Sequence, residues 1–255
     1  MATPATIQSF VVISVADMAD ETRKRGAILL DAMGTLVHLD EPVPRLRAAL
    51  AEHAGLDVDL PTAGAALEAE IAFYRANLHT AVDGPSLDAL RARCAAAMRP
   101  ALPASGATDE QLTVALLAGI RFAPYPEVPG TLDALRADGW ALVVVSNWDV
   151  SLDEVLVETG LRGRVDGVVT SVAAGAAKPD GVAFARGLEL AGVPAAAAWH
   201  AGDDLVADVE GARRAGIRPV LVNRDGDGSP PPADVPVVGA LDELRGLLAR
   251  ASPYA

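Results

Sequence analysis

Apolar and polar positions follow two different rhythms along the 255 residues. From Glu41 to about Tyr125 the apolar residues recur at helical spacing, in VPRLRAALAEHAG, AALEAEIAFYRANL, SLDALRARCAAAMRPAL and TDEQLTVALLAGI, separated by Pro, Gly and Asp turns. No strand pattern interrupts them. After PYPEVPG the rhythm alternates: helix TLDALRADG, strand WALVVVSN, helix SLDEVLVETG, strand VDGVVTS, helix GVAFARGLELAG, strand AAAWHAGD, helix LVADVEGARRAG and strand RPVLVN.

Strands that alternate with helices and read as continuous apolar, β-branched runs imply a parallel sheet covered on both faces. The run ILLD, ending at Asp31, belongs to that sheet, so the helical block is an insertion after the first strand. The expected fold is α/β: a Rossmann-like parallel-sheet core with helices on both faces, formed by residues 26–40 and 126–255, with an inserted all-α helical cap at 41–125. Residues 1–25 read as an N-terminal extension.

Composition narrows the function. A formal net charge of −13 argues against nucleic-acid binding, which requires surplus Lys and Arg against phosphate backbones. No uninterrupted apolar run reaches the roughly 18 residues of a membrane span. The apolar piece SFVVISVADM lacks preceding basic residues and is followed by DETRKRG, so it fails as a signal peptide. The single Cys94 excludes an internal disulfide and fits a cytoplasmic protein. The expected partner is a small-molecule substrate, with the chain a monomer or homodimer. Among the 21 basic residues only Lys24 and Lys178 are Lys, so Lys178, inside AAGAAKPDG, stands out in a chain that otherwise uses Arg.

In open parallel sheets ligands sit at the carboxyl ends of the strands. Those ends deliver Asp31 from the first strand, Ser146 and Asn147 after LVVV, and Asp203 and Asp204 after AAAWHAG; Lys178 comes from a loop before a helix. Carboxylates, a hydroxyl and one ammonium suit an anion held beside magnesium, which takes a few hard oxygens and fills its remaining positions with water and phosphate. Lys178 also serves to hold a buried carboxylate ionised.

DAMGTL, VVVSNWD, AAKPD and HAGDDLVADVEGARRAG resemble, in order and placement, the four motifs of the haloacid dehalogenase-like hydrolase superfamily, in the subgroup with a helical cap after the first motif. The resemblance covers roughly residues 26 to 248. It implies that Asp31 is the nucleophile, that Thr35 supports the loop after it and belongs to the substrate-binding set, that Ser146 and the amide of Asn147 bind phosphate, and that Lys178 neutralises nucleophile and phosphate. Magnesium would be held by Asp31, the carbonyl of Met33, Asp203 and Asp208. Asp204 reads as a charged helix start, His200 as a packed strand residue and His38 as an exposed loop histidine; Ala207 stands where the family often has Asn. Arg75 and His79 are polar candidates on the cap.

Met33 departs from the phosphatases that the chain resembles, which carry there an Asp that protonates the leaving oxygen and then activates water. Dehalogenases of the family carry a non-acid there, because halide leaves without a proton, but they do not keep the acidic fourth motif. The resemblance therefore implies a magnesium-dependent phosphatase acting on a small phosphorylated metabolite. A metal-free 2-haloacid dehalogenase-type hydrolase and a non-catalytic phosphate-binding descendant are the alternatives.

Overall fold

A computed structural model describes residues 25–226 and 232–250; apart from Arg25, the segment read as an N-terminal extension lies outside the described residues. Strand β1 (Gly26–Leu30) is followed by a short strand β2 (Val37–Leu39), four helices, α1 (Pro42–Ala54), α2 (Leu60–Asn77), α3 (Gly84–Met98) and α4 (Asp109–Gly119), and a second short strand, β3 (Phe122–Pro124). Helix α5 (Val128–Ala137), β4 (Trp140–Ser146), α6 (Leu152–Glu158), β5 (Gly167–Thr170), α7 (Ser171–Ala174) and α8 (Gly181–Ala191) come next. The chain continues through β6 (Ala198–Gly202), a π-helical turn (Leu205–Glu210), α9 (Gly211–Arg214), β7 (Arg218–Val222), β8 (Val237–Val238) and α10 (Glu243–Arg250).

Six strands form one parallel, Rossmann-like sheet in the order β5-β4-β1-β6-β7-β8. The chain builds outward from β1 through β4 and β5, then crosses to β6, β7 and β8 on the other side. β1 therefore lies at the reversal of strand order, the place where such sheets leave a crevice at their carboxyl ends. All five residues of β1 are buried, and alternate residues serve opposite faces. Ile28 and Leu30 pack with Leu132 and Leu152, whereas Ala27 and Leu29 pack with Phe184 and Ala183.

The helical block has an apolar cluster of its own, built around Leu46, Leu50, Leu67, Leu90, Met98 and Leu112. Its helices begin where their sequence says they should. Asp59 accepts the amide of Thr62, and reciprocal capping boxes join Asp83 to Ser86 and Thr108 to Gln111.

Three elements differ from the expectation. β3 interrupts the block read as purely helical: Phe122–Pro124 pairs antiparallel with Val37–Leu39, so the chain leaves and re-enters the core as a two-stranded ribbon. Three residues carry no period, and this strand exists because β2 is there to pair with it. β8 and α10 likewise follow the last strand expected from the pattern. The helix expected over LVADVEGARRAG opens instead as a π turn, a local widening that often marks a functional site.

Gly119 ends α4 against α1, where an added Cβ would lie 2.8 Å from the Cα of Leu46. Backbone cannot rotate away, so Gly119→Ala should destabilise the protein by about 1–3 kcal/mol. Gly130→Ala, where a Cβ meets nothing within 4 Å, should be neutral or stabilising. Denaturant midpoints of the two variants, compared with wild type, check this.

Candidate active site

β1 hands Asp31 to the crevice, with its amide bonded to the Ala201 carbonyl of β6 at 2.9 Å. The chain then folds back on itself, as the amides of Leu36 and Val37 both reach the Ala32 carbonyl, at 2.8 and 2.9 Å, and Gly34 donates to Val37. Gly34 has φ +74°, and a Cβ on it would run into the Asp203 carboxylate. Glycine is needed there for the left-handed turn and for the close approach of the acid. Arg224 donates to the carbonyls of Gly34 and Thr35, at 3.0 and 2.7 Å, pairs with Glu127 at 2.8 Å and lies over the Tyr125 ring.

Lys178 joins the remaining parts. Its Nζ donates to Asp31 Oδ1 and to Asp208 Oδ1, both at 2.6 Å, with all three side chains nearly excluded from solvent. Burial alone would lower the Lys178 pKa, but the two carboxylates raise it on balance and keep it an ammonium. Asp208 also accepts from His200 Nε2 at 2.8 Å and, through Oδ2, from the amide of Asp204 at 3.0 Å. Against the cost of burial, Lys178 and His200 hold its carboxyl well below the usual carboxylate range. Asp31 shifts the other way, because loss of solvation and the charge of Asp208 outweigh Lys178 and a contact with Ser146. Oxygens of Asp31, Asp203 and Asp208 come within 4.8 Å of one another. Asp203, on the open side of this cluster, has its pKa pushed up to about 7 by desolvation and by the two neighbouring carboxylates.

The other candidates occupy varied places. Ser146 ends β4 and lines the cleft with Asn147. The Asn147 side chain is committed to the backbone of Lys178, donating to its carbonyl at 3.0 Å and accepting its amide at 2.7 Å. Thr35 is fully buried with an unpartnered hydroxyl and does not line the cleft; its carbonyl accepts from Arg224. Asp204 caps the π turn, accepting from Val206 and Ala207 at 2.8 and 2.7 Å, as expected of a charged helix start. His200 is a packed strand residue, edge-on to Phe184, and also a partner of Asp208. His38 is not in an exposed loop; it stands half-buried on β2 against Tyr125.

A cleft of about 770 Å³ opens from Asp31, Met33 and Lys178 toward the helical block, where Glu70, Tyr74 and Arg75 of α2 wall it. His79, in the turn after α2, is exposed and outside this lining. Tyr74 donates to Asp149 Oδ2 at 3.0 Å, a bond from the block to the loop after β4.

Arg224 belongs to none of the four motifs, but it follows the carboxyl end of the strand RPVLVN, where ligand-facing groups are expected. Glu70 shows as an acid in the buried stripe Ala63, Ala66, Leu67 of α2.

A family model for haloacid dehalogenase-like hydrolases matches residues 26–216, from β1 through α9. The chain belongs to the haloacid dehalogenase-like hydrolase family. Within that family it is 41% identical over 123 residues to haloacid dehalogenase-like hydrolase domain-containing protein 3 of Danio rerio, 47% of this chain and 50% of that protein. It is 36% identical over 99 residues to phosphoglycolate phosphatase of Aquifex aeolicus, covering 38% and 46% of the two chains. It is 30% identical over 131 residues to haloacetate dehalogenase H-2 of a Moraxella species, covering 49% and 58%. These matches span about half the length of the curated relatives. Among solved structures, a haloacid dehalogenase-like phosphatase from Thermococcus onnurineus superposes with a TM-score of 0.60 at 26% identity, covering 88% of this chain and 97% of that one. Phosphatases and a dehalogenase both stand among its relatives.

The raised pKa of Asp203 fixes the sign of a pH effect. The native state holds this proton more tightly than the unfolded chain, so the contribution of Asp203 to stability is most favourable below about pH 4 and is lost as pH rises to about 7. The depressed Asp208 acts on the acid side of that window. In metal-free buffer, Asp203→Asn should make the stability profile between pH 4 and 7 shallower than in wild type, as read by denaturant unfolding across the range. An unchanged slope contradicts the assignment.

Proposed function

We propose that the chain is a magnesium-dependent phosphatase that transfers the phosphoryl group of a small phosphorylated metabolite to Asp31 and then to water. The observation that carries this reading is the convergence of Asp31, Asp203 and Asp208 within 4.8 Å around one ammonium, Lys178. Three carboxylates against a single cation form a hard-oxygen site with an excess of negative charge, which fits a divalent ion. Asp31, Asp203 and the Met33 carbonyl would hold magnesium. Asp208 stands beside them, its carboxylate already accepting from Lys178, His200 and the Asp204 amide. Bound there, the ion would supply positive charge to phosphate oxygens.

The protein's own groups do the rest. Lys178 keeps Asp31 oriented and faces the same anion that Ser146 and the Asn147 loop would receive. An oxygen of Asp31 attacks phosphorus, the ester P–O bond breaks, and the leaving oxygen departs with the electron pair. Water then attacks the aspartyl-phosphate, releasing phosphate and restoring the carboxylate. Met33 lines the cleft and can neither protonate the leaving oxygen nor activate that water. The helical block, whose Leu87, Leu90 and Leu116 line the cleft, serves as the cap, within residues 41–125. One buried free cysteine suits a cytoplasmic setting.

Met33 also favours a second reading, metal-free 2-haloacid dehalogenation through an ester at Asp31. Phosphate or halide release from phosphoesters and 2-haloacids, each with magnesium or chelator, separates the two. Magnesium-dependent phosphate release is expected, along with a magnesium-induced rise in the melting temperature that Asp203→Asn diminishes. Halide release indifferent to chelator, with no phosphate release, reverses the assignment. Asp31→Asn should abolish turnover in either case, because an amide of the same size is a poor nucleophile.

Restoring a carboxylate tests the vacancy at Met33. Wild type should favour aryl and acyl phosphates, whose leaving groups need little protonation, and Met33→Asp should accelerate alkyl phosphates by about 10- to 100-fold more than aryl ones. A folded, magnesium-binding variant with equal effects on both classes would show that the residue belongs to a site that never required an acid.

A further inference from the structure

Glu70 is a buried acid that the proposed chemistry leaves unused. It is 5% exposed, yet it lines the cleft that leads to Asp31. On α2 it falls where two stripes meet: Ala63, Ala66 and Leu67 run into the core of the helical block, and Ile71 and Tyr74 face the cleft, continued by Leu78 in the turn after α2. Its side-chain partner is the Cys94 thiol of α3, a weak one, and burial pushes that thiol up to about 12. Leu87 and Leu90 of α3 and Leu116 of α4 line the same part of the cleft. An acid among such residues opposes the packing of the block, since leucine would fill the space without the cost of burying a polar group. Its position is explained by a partner that enters the cleft.

We propose that Glu70 selects the organic part of the substrate, accepting phosphate monoesters whose body is uncharged and apolar except for a hydroxyl that hydrogen-bonds to Glu70. The proposal rests on the phosphatase reading and gives it a substrate class. Apolar walls exclude a heavily hydrated body, and the carboxyl supplies one polar contact. Loss of solvation raises the Glu70 pKa. In either protonation state the carboxyl accepts from a hydroxyl, while the apolar walls around it disfavour a charged body. A second anion in the body would face the Glu70 carboxyl, which offers it no positive charge. Arg91 is paired with Asp88 at 3.6 Å, and Arg75 and Arg121 are exposed, where they draw phosphorylated molecules toward the mouth.

The test compares phenyl phosphate with aryl phosphates bearing a para hydroxyl on a one-, two- or three-carbon arm, and with 4-carboxyphenyl phosphate. With wild type, kcat/KM for the best hydroxylated ester should exceed that for phenyl phosphate by about five- to tenfold, as expected for one neutral hydrogen bond, and the carboxylate should be poorest. Glu70→Gln, whose amide also donates and accepts, should keep most of this ratio, and Glu70→Met should bring it to about one. Because each ratio is taken within one protein, partial loss of fold cancels. The proposal is overturned if the ratio survives in Glu70→Met, if no arm length gives a preference in wild type, or if the carboxylate is preferred. Calorimetric binding of the matching non-hydrolysable arylphosphonates reads the same contact without turnover. If wild type releases no phosphate from any ester but still binds the hydroxylated phosphonate more tightly than phenylphosphonate, with the difference lost in Glu70→Met, the phosphatase reading falls and the role of Glu70 stands. Equal affinities, or no binding of either, overturn the role of Glu70.

Discussion

The ammonium of Lys178, buried between Asp31 and Asp208, is the interaction on which the site depends. Burying two carboxylates without it would cost several kcal/mol for each charge, and burying the ammonium without them would cost as much again. The three groups come from different parts of the sheet: the end of β1, the turn after β6 and the loop before α8. Satisfying their charges therefore brings those segments to one point. Asn147, at the end of β4, completes the junction by clamping the Lys178 backbone on both its amide and its carbonyl. The geometry that positions the candidate nucleophile is thus also the geometry that lets the crevice close around charge.

Around this junction the supports are fixed dipoles and stiff backbone. Arg224 holds two carbonyls of the turn after Asp31, Gly34 leaves room for Asp203, and the π turn directs Asp208 inward while Asp204 caps its start. His200 approaches Asp208 from within β6 itself. Such preorganisation keeps like charges at distances they would not hold in water, ready for a cationic or anionic partner.

The cleft divides into two chemistries. Near the strand ends it is ionic and hard, and near α2, α3 and α4 leucines predominate around the Glu70 carboxyl and the Cys94 thiol, with Tyr74, Arg75 and Arg91 also in the lining. Met33 lies at the join, an apolar side chain on the ionic side. The bond from Tyr74 to Asp149 spans the two halves and ties the position of the helical block to the loop that follows β4. The ionic and the apolar parts of the cleft are therefore spatially distinct.

The amino-acid sequence by itself determined the alternation of β1, β4, β5, β6 and β7 with their helices, because continuous apolar runs and period-3.6 apolar patterns are local properties of the chain. It also marked Asp31, Ser146 and Asp203, since strand ends can be read from where an apolar run stops, Lys178 by the rarity of Lys in the chain, and Asp208 through the resemblance of its motif. Only the tertiary structure decided what those residues do to one another. That Asn147 serves Lys178 through its side chain, that Thr35 is sealed beneath the surface, that Phe122–Pro124 becomes a strand and that Glu70 faces a cleft all depend on contacts between segments far apart in sequence. A three-residue strand has too few positions to show a period, and an acid in an apolar helix stripe has no partner in its own segment. Their meaning is set by what the fold packs against them.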